Sequence, residues 1–433
     1  MAIKPLEIIP QQENGLVKSF ELHINEKTII TPNFAIRPSS KIDFDEFYNV
    51  KSKYRLPFTS SLVIRYTDAD KLIKANLNKS KQTTLFGTSI KQDFINSINK
   101  DIILVDPSME YLYYKGVEKF SSIDNLPNLI DEYVNSCSLL KNDEYFNKYK
   151  NEKYGEFLSE IDKNKLKRFN MIRELFKAQL EFKADILIPP TPIIDSKRTF
   201  NLSHTINKTS KEVAKTFDSD IECATYYLLK SNILKNEEIV NDIIRNIEKD
   251  NSKVFVLKFK YVNLNTENTH REREIYSNVM KDLSYISKES NKIFILLEGG
   301  NQIFPSAVLG FDIVSSSYNG DVDYRRSRSD DNRNPWGYWY SPEHMIYMNR
   351  ETVLRISHNN GNTLPCYCPI CSSIKNPEFL SIDEWNSHRR IHYIHSRHEE
   401  MREIHEAIPK GESLIGVKDK LQRSQLKYLG DLF

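Results

Sequence analysis

The chain has 433 residues, 61 Lys and Arg against 59 Asp and Glu, and a formal net charge of +2. That near balance excludes a strongly basic nucleic-acid or membrane-surface binder, so any basic patch has to be local. Hydrophobic residues at 39% and aromatics at 11% provide for a sizeable core, enough for one large domain with an appendage or for two domains.

The opening stretch MAIKPLEIIPQQENG has no basic flank followed by an apolar core, so no signal peptide is expected. No apolar run approaches the roughly 18 residues of a membrane span. Short runs rich in Val, Ile, Leu and Phe predict buried strands at 28–36, 61–66, 101–108, 184–194, 221–230, 253–262, 292–300 and 310–318. Residues 138–162 are polar and charged and read as an insertion. Apolar residues at three- and four-residue steps predict helices over 163–182, 236–250 and 273–289. After 409 a loop and a closing helix are expected. Strand–helix alternation builds a parallel sheet, and eight strands favour a closed (β/α)8 TIM barrel of α/β class. An open doubly wound sheet is the competitor, but no glycine-rich phosphate loop follows the first strands.

Three of the five cysteines fall in CYCPIC, as Cys366, Cys368 and Cys371. Cys-x-Cys-x-x-Cys sets three soft ligands on one tight turn, and a divalent ion bound there needs a fourth donor, usually an imidazole. Five of the ten histidines lie between 388 and 405. His388, His392 and His395 recur at helical spacing, so one helix face offers that donor. The expected cofactor is a structural zinc ion, because four protein donors leave no open position for water. Cys137 and Cys223, far apart in the chain, fit a reducing, cytoplasmic compartment.

Together these features resemble the tRNA-guanine transglycosylase family, a (β/α)8 barrel with a zinc subdomain after its last strand. The zinc motif carries the resemblance, with EEMREIHEAI (399–408) similar to the end of the family's zinc helix; counting back in that register puts the metal histidine on His392, with His388 and His395 as neighbours. ILVDPSMEY, ADILIPPTP and LLEGGNQIFPSAVLGFDIV resemble the family's third, fourth and last two strands. The likeness spans roughly residues 15–410. It implies a barrel domain over 1–345 and a zinc-binding helical subdomain over 346–433.

The family exchanges a base at a glycosidic carbon by double displacement, which calls for a nucleophilic carboxylate and a second acidic group. The resemblance places Asp106 at the acid/base position, where the bland reading is a cap for an Asp-Pro-Ser turn. Ser315 aligns with the nucleophile. Asp312 matches another family aspartate, but strand alternation points 312 and 315 to opposite faces. Asp321 and Asp323, just beyond the strand, are the candidates to replace the missing carboxylate. Thr191 stands where the family reads the guanine edge, and Lys258 and Lys260 stand where it has glycine. Gly299 and Gly300 belong to the matched strand end. Arg325, Arg326, Arg328 and Arg333 could grip phosphates, and Trp336, Tyr338 or Trp339 could stack a base; the bland reading is a solvated loop neutralised by Asp330 and Asp331. The expected activity is divergent base exchange on guanine or 7-deazaguanine in nucleic acid, DNA rather than ordinary tRNA, in a setting such as antiphage defence. The other expectation is a non-catalytic subunit that holds a protein partner or a deazaguanine ligand. A homodimer or heteromer is expected, and no membrane association.

Overall fold

A computed structural model of the protein describes residues 6–14, 17–25, 27–68, 101–113, 120, 123, 126–138, 146–217, 221–260, 270–300, 303–318, 336–361 and 363–407. A small sheet holds β1 (Glu7–Asn14), β2 (Val17–Ile24) and β3 (Lys27–Thr31). The large sheet holds β4 (Asn33–Ile36), β5 (Ser61–Arg65), β6 (Ile102–Asp106), β7 (Ile186–Leu187), β8 (Glu222–Cys223), β9 (Thr225–Lys230), β10 (Val254–Lys260), β11 (Ile293–Leu297) and β12 (Ile313–Ser316). A hairpin of β13 (Tyr338–Ser341) and β14 (Ile346–Asn349) follows, and the 345/346 boundary expected from sequence falls between its strands.

The helices are α1 (Lys41–Tyr54), α2 (Glu110–Tyr113), α3 (Asn128–Ser138), α4 (Phe146–Lys163), α5 (Lys165–Glu181), α6 (Lys197–Ala214), α7 (Glu237–Lys249), α8 (His270–Ser290), α9 (Ile303–Val308), α10 (Arg350–Asn359), α11 (Pro369–Ser372) and α12 (Ile382–Ala407). The stretch expected as an insertion is in large part helix α4. The helices expected at 163–182, 236–250 and 273–289 form as α5, α7 and α8.

The large sheet runs in the order β8-β7-β6-β5-β4-β12-β11-β10-β9. Its pairings β6–β7, β7–β8, β9–β10, β11–β12, β4–β12 and β4–β5 are all parallel. The first and last strands of that order are two parts of one segment, 222–230, broken only at Ala224. This is the strand order of a nearly closed, barrel-like sheet. The eight predicted runs thus supply its nine strands, because one of them is divided.

The short β7 has a plain physical cause. Pro189, Pro190 and Pro192 have no N–H to give a ladder, so only Ile186 and Leu187 of the run 184–194 pair as strand. The Gln179 side chain of α5 completes Ile188 instead, donating to its carbonyl at 2.8 Å and accepting its N–H at 2.8 Å. On α6, Asn207 does the same for Tyr226, at 3.0 Å in each direction. Buried backbone left without a strand partner is thereby satisfied by side-chain amides.

Two compact units gather the described residues. One takes them from Met1–Glu7, His23–Lys27 and Val63–Lys260, the other from Ile8–Leu22, Thr28–Leu62 and Tyr261–Phe433. In the first, α3 to α6 enclose an apolar core around Ile130, Phe157, Leu175, Phe176 and Ile206. In the second, the hairpin and α10 to α12 enclose a smaller core of Trp339, Met348, Val353, Leu364 and Trp385. Among the described residues no helix is long and apolar enough to cross a membrane.

Candidate metal centre and charged sheet end

The metal candidates lie together in the second unit. One ligand atom each from Cys366, Cys368, Cys371 and His392 falls within 4.8 Å of the others, so the group can hold a metal ion. Local sequence explains the convergence. Pro369 starts the short helix α11, Cys368 caps it, and Cys371 is brought back beside Cys368 one turn later. The Cys368 N–H donates to Cys366 Sγ and the Cys371 N–H to Cys368 Sγ, both at 3.4 Å. Such amide bonds favour the thiolate form that binds metal.

His392 Nδ1 lies 3.9, 3.5 and 3.3 Å from the sulfurs of Cys366, Cys368 and Cys371. With metal–sulfur bonds of about 2.3 Å and metal–nitrogen bonds of about 2.0 Å, a tetrahedron has S···N edges of about 3.5 Å. The other ring nitrogen, Nε2, donates to the Tyr340 carbonyl at 2.7 Å, which turns Nδ1 toward the sulfurs. Trp339 stacks on the ring at 4.5 Å with planes 5° apart. Burial alone would lower the His392 pKa, but the Cys366 and Cys368 sulfurs raise it to about 9. The donor set, its spacing and the fixed tautomer fit a closed four-coordinate site.

Of the other two histidines, His388 borders the group and His395 is turned elsewhere. His388 Nε2 lies 3.5 Å from Cys371 Sγ, outside the four-donor group, and burial lowers its pKa to about 4. His395 turns its ring edge toward Tyr54. The same helix is anchored by the fully buried Arg397, which donates to the Tyr340 and Tyr347 hydroxyls, Glu400 and the Gly300 carbonyl at 2.6 to 3.0 Å. Trp339 is wholly buried in this lobe, so it is not the open stacking platform expected from sequence; the half-buried Trp336 lies under the Arg350 guanidinium at 4.0 Å.

In the first unit the ends of β6 and β10 meet in a buried charge cluster. Asp106 is the last residue of β6. The Ser108 N–H donates to Asp106 Oδ1 at 2.9 Å and the Ser108 hydroxyl to the Asp106 carbonyl at 3.1 Å, a tight turn with Ser108 at φ +59°. That turn brings Glu110, the first residue of α2, back beside Asp106. Lys258 Nζ bridges them, donating to Asp106 Oδ2 and Glu110 Oε1 at 2.6 Å each. Lys260 reaches Glu110 at 3.5 Å. Lys258 and Lys260 lie on one face of β10, two residues apart, in a strand otherwise of Val, Phe and Leu. The expected turn cap at Asp106 is present through one oxygen, and the other oxygen binds Lys258.

The remaining candidates are distributed more widely. Thr191 is fully buried, and its hydroxyl has no hydrogen-bond partner among the described residues. In the second unit Asp312 precedes β12 and accepts the Phe294 N–H at 2.7 Å, at the start of the strands rather than their ends. Ser315 lies inside β12, its hydroxyl accepting the Glu298 N–H at 3.2 Å. Gly299 donates to the Ser315 carbonyl at 2.7 Å. Asp321, Asp323, Arg325, Arg326, Arg328 and Arg333 lie outside the described residues. Sequence reasoning missed Glu110 and Glu298. The available signals were an acid four residues past the strand-end aspartate and an acid directly before Gly-Gly.

Comparison of the chain with protein-family models and with curated proteins finds no match.

Proposed function

We propose that the chain is a divergent transglycosylase-like protein built on a (β/α)8 TIM barrel, with a structural zinc ion held by Cys366, Cys368, Cys371 and His392. The reaction is base exchange at a guanine or 7-deazaguanine glycosidic bond in nucleic acid, with DNA favoured over ordinary tRNA and antiphage defence, in the cytoplasm, as the fitting context. The observation that carries the chemistry is the pair of buried carboxylates at the end of β6. Asp106 and Glu110 oxygens lie within 4.8 Å of one another. Displacement at an anomeric carbon through a covalent intermediate uses carboxyl groups about 5 to 5.5 Å apart. The bound zinc would stabilise the lobe and take no part in the exchange. The test is incorporation of labelled guanine or 7-deazaguanine into a guanine-containing DNA oligonucleotide and, in parallel, into tRNA. Asp106→Ala is expected to abolish incorporation while the circular dichroism spectrum is kept.

One observation favours a second reading. Lys258 occupies an oxygen of each carboxylate, which suits a mouth that holds a protein partner or a deazaguanine ligand without reacting. On that reading no incorporation occurs into either nucleic acid, and 7-deazaguanine binding measured by calorimetry survives Asp106→Ala.

A further inference from the structure

In the second unit, the chain leaves the end of β11 through two left-handed residues, Glu298 at φ +57° and Gly300 at φ +58°. Glycine adopts that conformation freely, but the Cβ of Glu298 disfavours it. Such backbone persists only where its surroundings fix it from several sides. On one side β12 does so: the Glu298 N–H donates to Ser315 Oγ at 3.2 Å and the Gly299 N–H to the Ser315 carbonyl at 2.7 Å. On the other side the hold comes from the metal lobe. Arg397 Nη2 donates to the Gly300 carbonyl and to the Tyr347 hydroxyl, at 3.0 Å each, so one nitrogen ties the loop to the hairpin. Arg397 Nη1 donates to the Tyr340 hydroxyl at 2.9 Å, and that hydroxyl donates to Glu400 at 2.6 Å. The Tyr340 carbonyl is the acceptor of His392 Nε2. Tyr340 therefore takes both the second bond of the metal histidine and a bond that orients Arg397. A buried guanidinium that only supported the lobe would be outdone by an apolar side chain of its size. Its planar fork is what reaches a hydroxyl and a backbone carbonyl at once.

We infer that Arg397 is a positioning residue that passes the state of the metal centre to the loop at the end of β11; this rests on the reading that Cys366, Cys368, Cys371 and His392 bind a metal. With the metal bound, the hairpin holds Arg397 and Arg397 holds Gly300. Without it, the hairpin loosens and the loop is released. The carboxyl ends of parallel strands are where α/β sheets hold their ligands. The ion thus sets the shape of one such end while touching nothing bound there.

The experiment loads the full chain with cobalt(II), whose visible absorption bands report a four-coordinate sulfur site, and follows amide hydrogen exchange of the peptide holding residues 298–300 by mass spectrometry. Arg397→Lys keeps a positive charge beside Glu400 and loses the fork. It is expected to keep the cobalt bands and to speed exchange at 298–300 about tenfold. Chelation of cobalt from the wild-type chain is expected to speed the same amides by at least as much, while those of α6, in the first unit, hold their rate. Unchanged exchange at 298–300, in Arg397→Lys or after chelation, overturns the inference, as does equal acceleration in α6. Loss of the cobalt bands in Arg397→Lys overturns it too, because Arg397 would then support the lobe and not the loop. A wild-type chain that takes up no cobalt overturns the metal reading and the inference with it; uptake with no effect on the loop overturns the inference alone.

Discussion

The metal lobe and the charged end of β6 and β10 both bury groups that prefer water, but they are held by opposite means. In the lobe, three sulfurs come from six consecutive residues and the imidazole from one helix; backbone amides and the Tyr340 carbonyl orient them around a position for an ion. In the charged cluster the opposite charges come from the chain itself. Two lysines and two carboxylates satisfy one another across 148 and 152 positions of sequence. The difference teaches where stability would rest on an ion if the four donors bind one, and where it is given up for a charge arrangement that an apolar core would not need.

Removing the metal is the strongest way to break this contrast. Structural zinc contributes about 10–16 kcal/mol in small zinc domains. Chelation, or Cys368→Ser, is therefore expected to unfold the lobe around Trp339 and Trp385, seen as lost helical ellipticity and a lower melting point alongside elemental analysis of the metal. An unchanged melting curve after complete metal removal would show that the lobe stands by its apolar core alone.

The charged cluster should answer in the other direction. Lys258→Met leaves Asp106 and Glu110 facing each other and is expected to cost about 3–5 kcal/mol in urea unfolding. A fully neutral set, Lys258→Met, Lys260→Met, Asp106→Asn and Glu110→Gln together, is expected to be neutral or to gain about 1–4 kcal/mol. A large loss in the neutral set would make the cluster a structural staple like the metal.

Acid should reach the lobe's helix next. Burial lowers the pKa of both His398 and His405 to about 4, against about 6.5 when unfolded. Below 6.5 the unfolded chain binds more protons than the folded one, so stability is complete above that pH and falls between pH 6.5 and 4. A melting temperature declining by several degrees over that window is expected; a flat profile would show these rings are protonated without loss. The smallest effect belongs to a site outside both regions. Ser196 caps α6 in a reciprocal pair with Thr199, and Ser196→Ala is expected to cost about 1 kcal/mol by denaturant titration, which sets the scale for an ordinary local change.

Legibility in the sequence followed the same division. The sulfurs were readable because their spacing is local; the helical period offered His388, His392 and His395 alike, and only the resemblance singled out His392. The buried strands were readable as apolar runs, yet their interruptions were not: no pattern within 221–230 announces that Asn207 will take both backbone groups of Tyr226, or that the chain will turn away at Ala224. Lys258 and Lys260 were singled out, but only as standing where the resembled family has glycine; the partner that gives them meaning, Glu110, became visible only once the Ser108 turn had folded it back. Glu298 was hidden for a related reason. Its left-handed backbone is a property of the folded loop and leaves no mark on composition.

The break at Ala224 has a consequence for how the sheet comes apart. Its N–H donates to the Leu187 carbonyl at 2.9 Å, while the residues just after it pair with β10. Opening this short segment would release β7 and β10 at once, so amide protons on both are expected to exchange with solvent as one cooperative block. A nick or an inserted residue at 224 would loosen the two neighbours together.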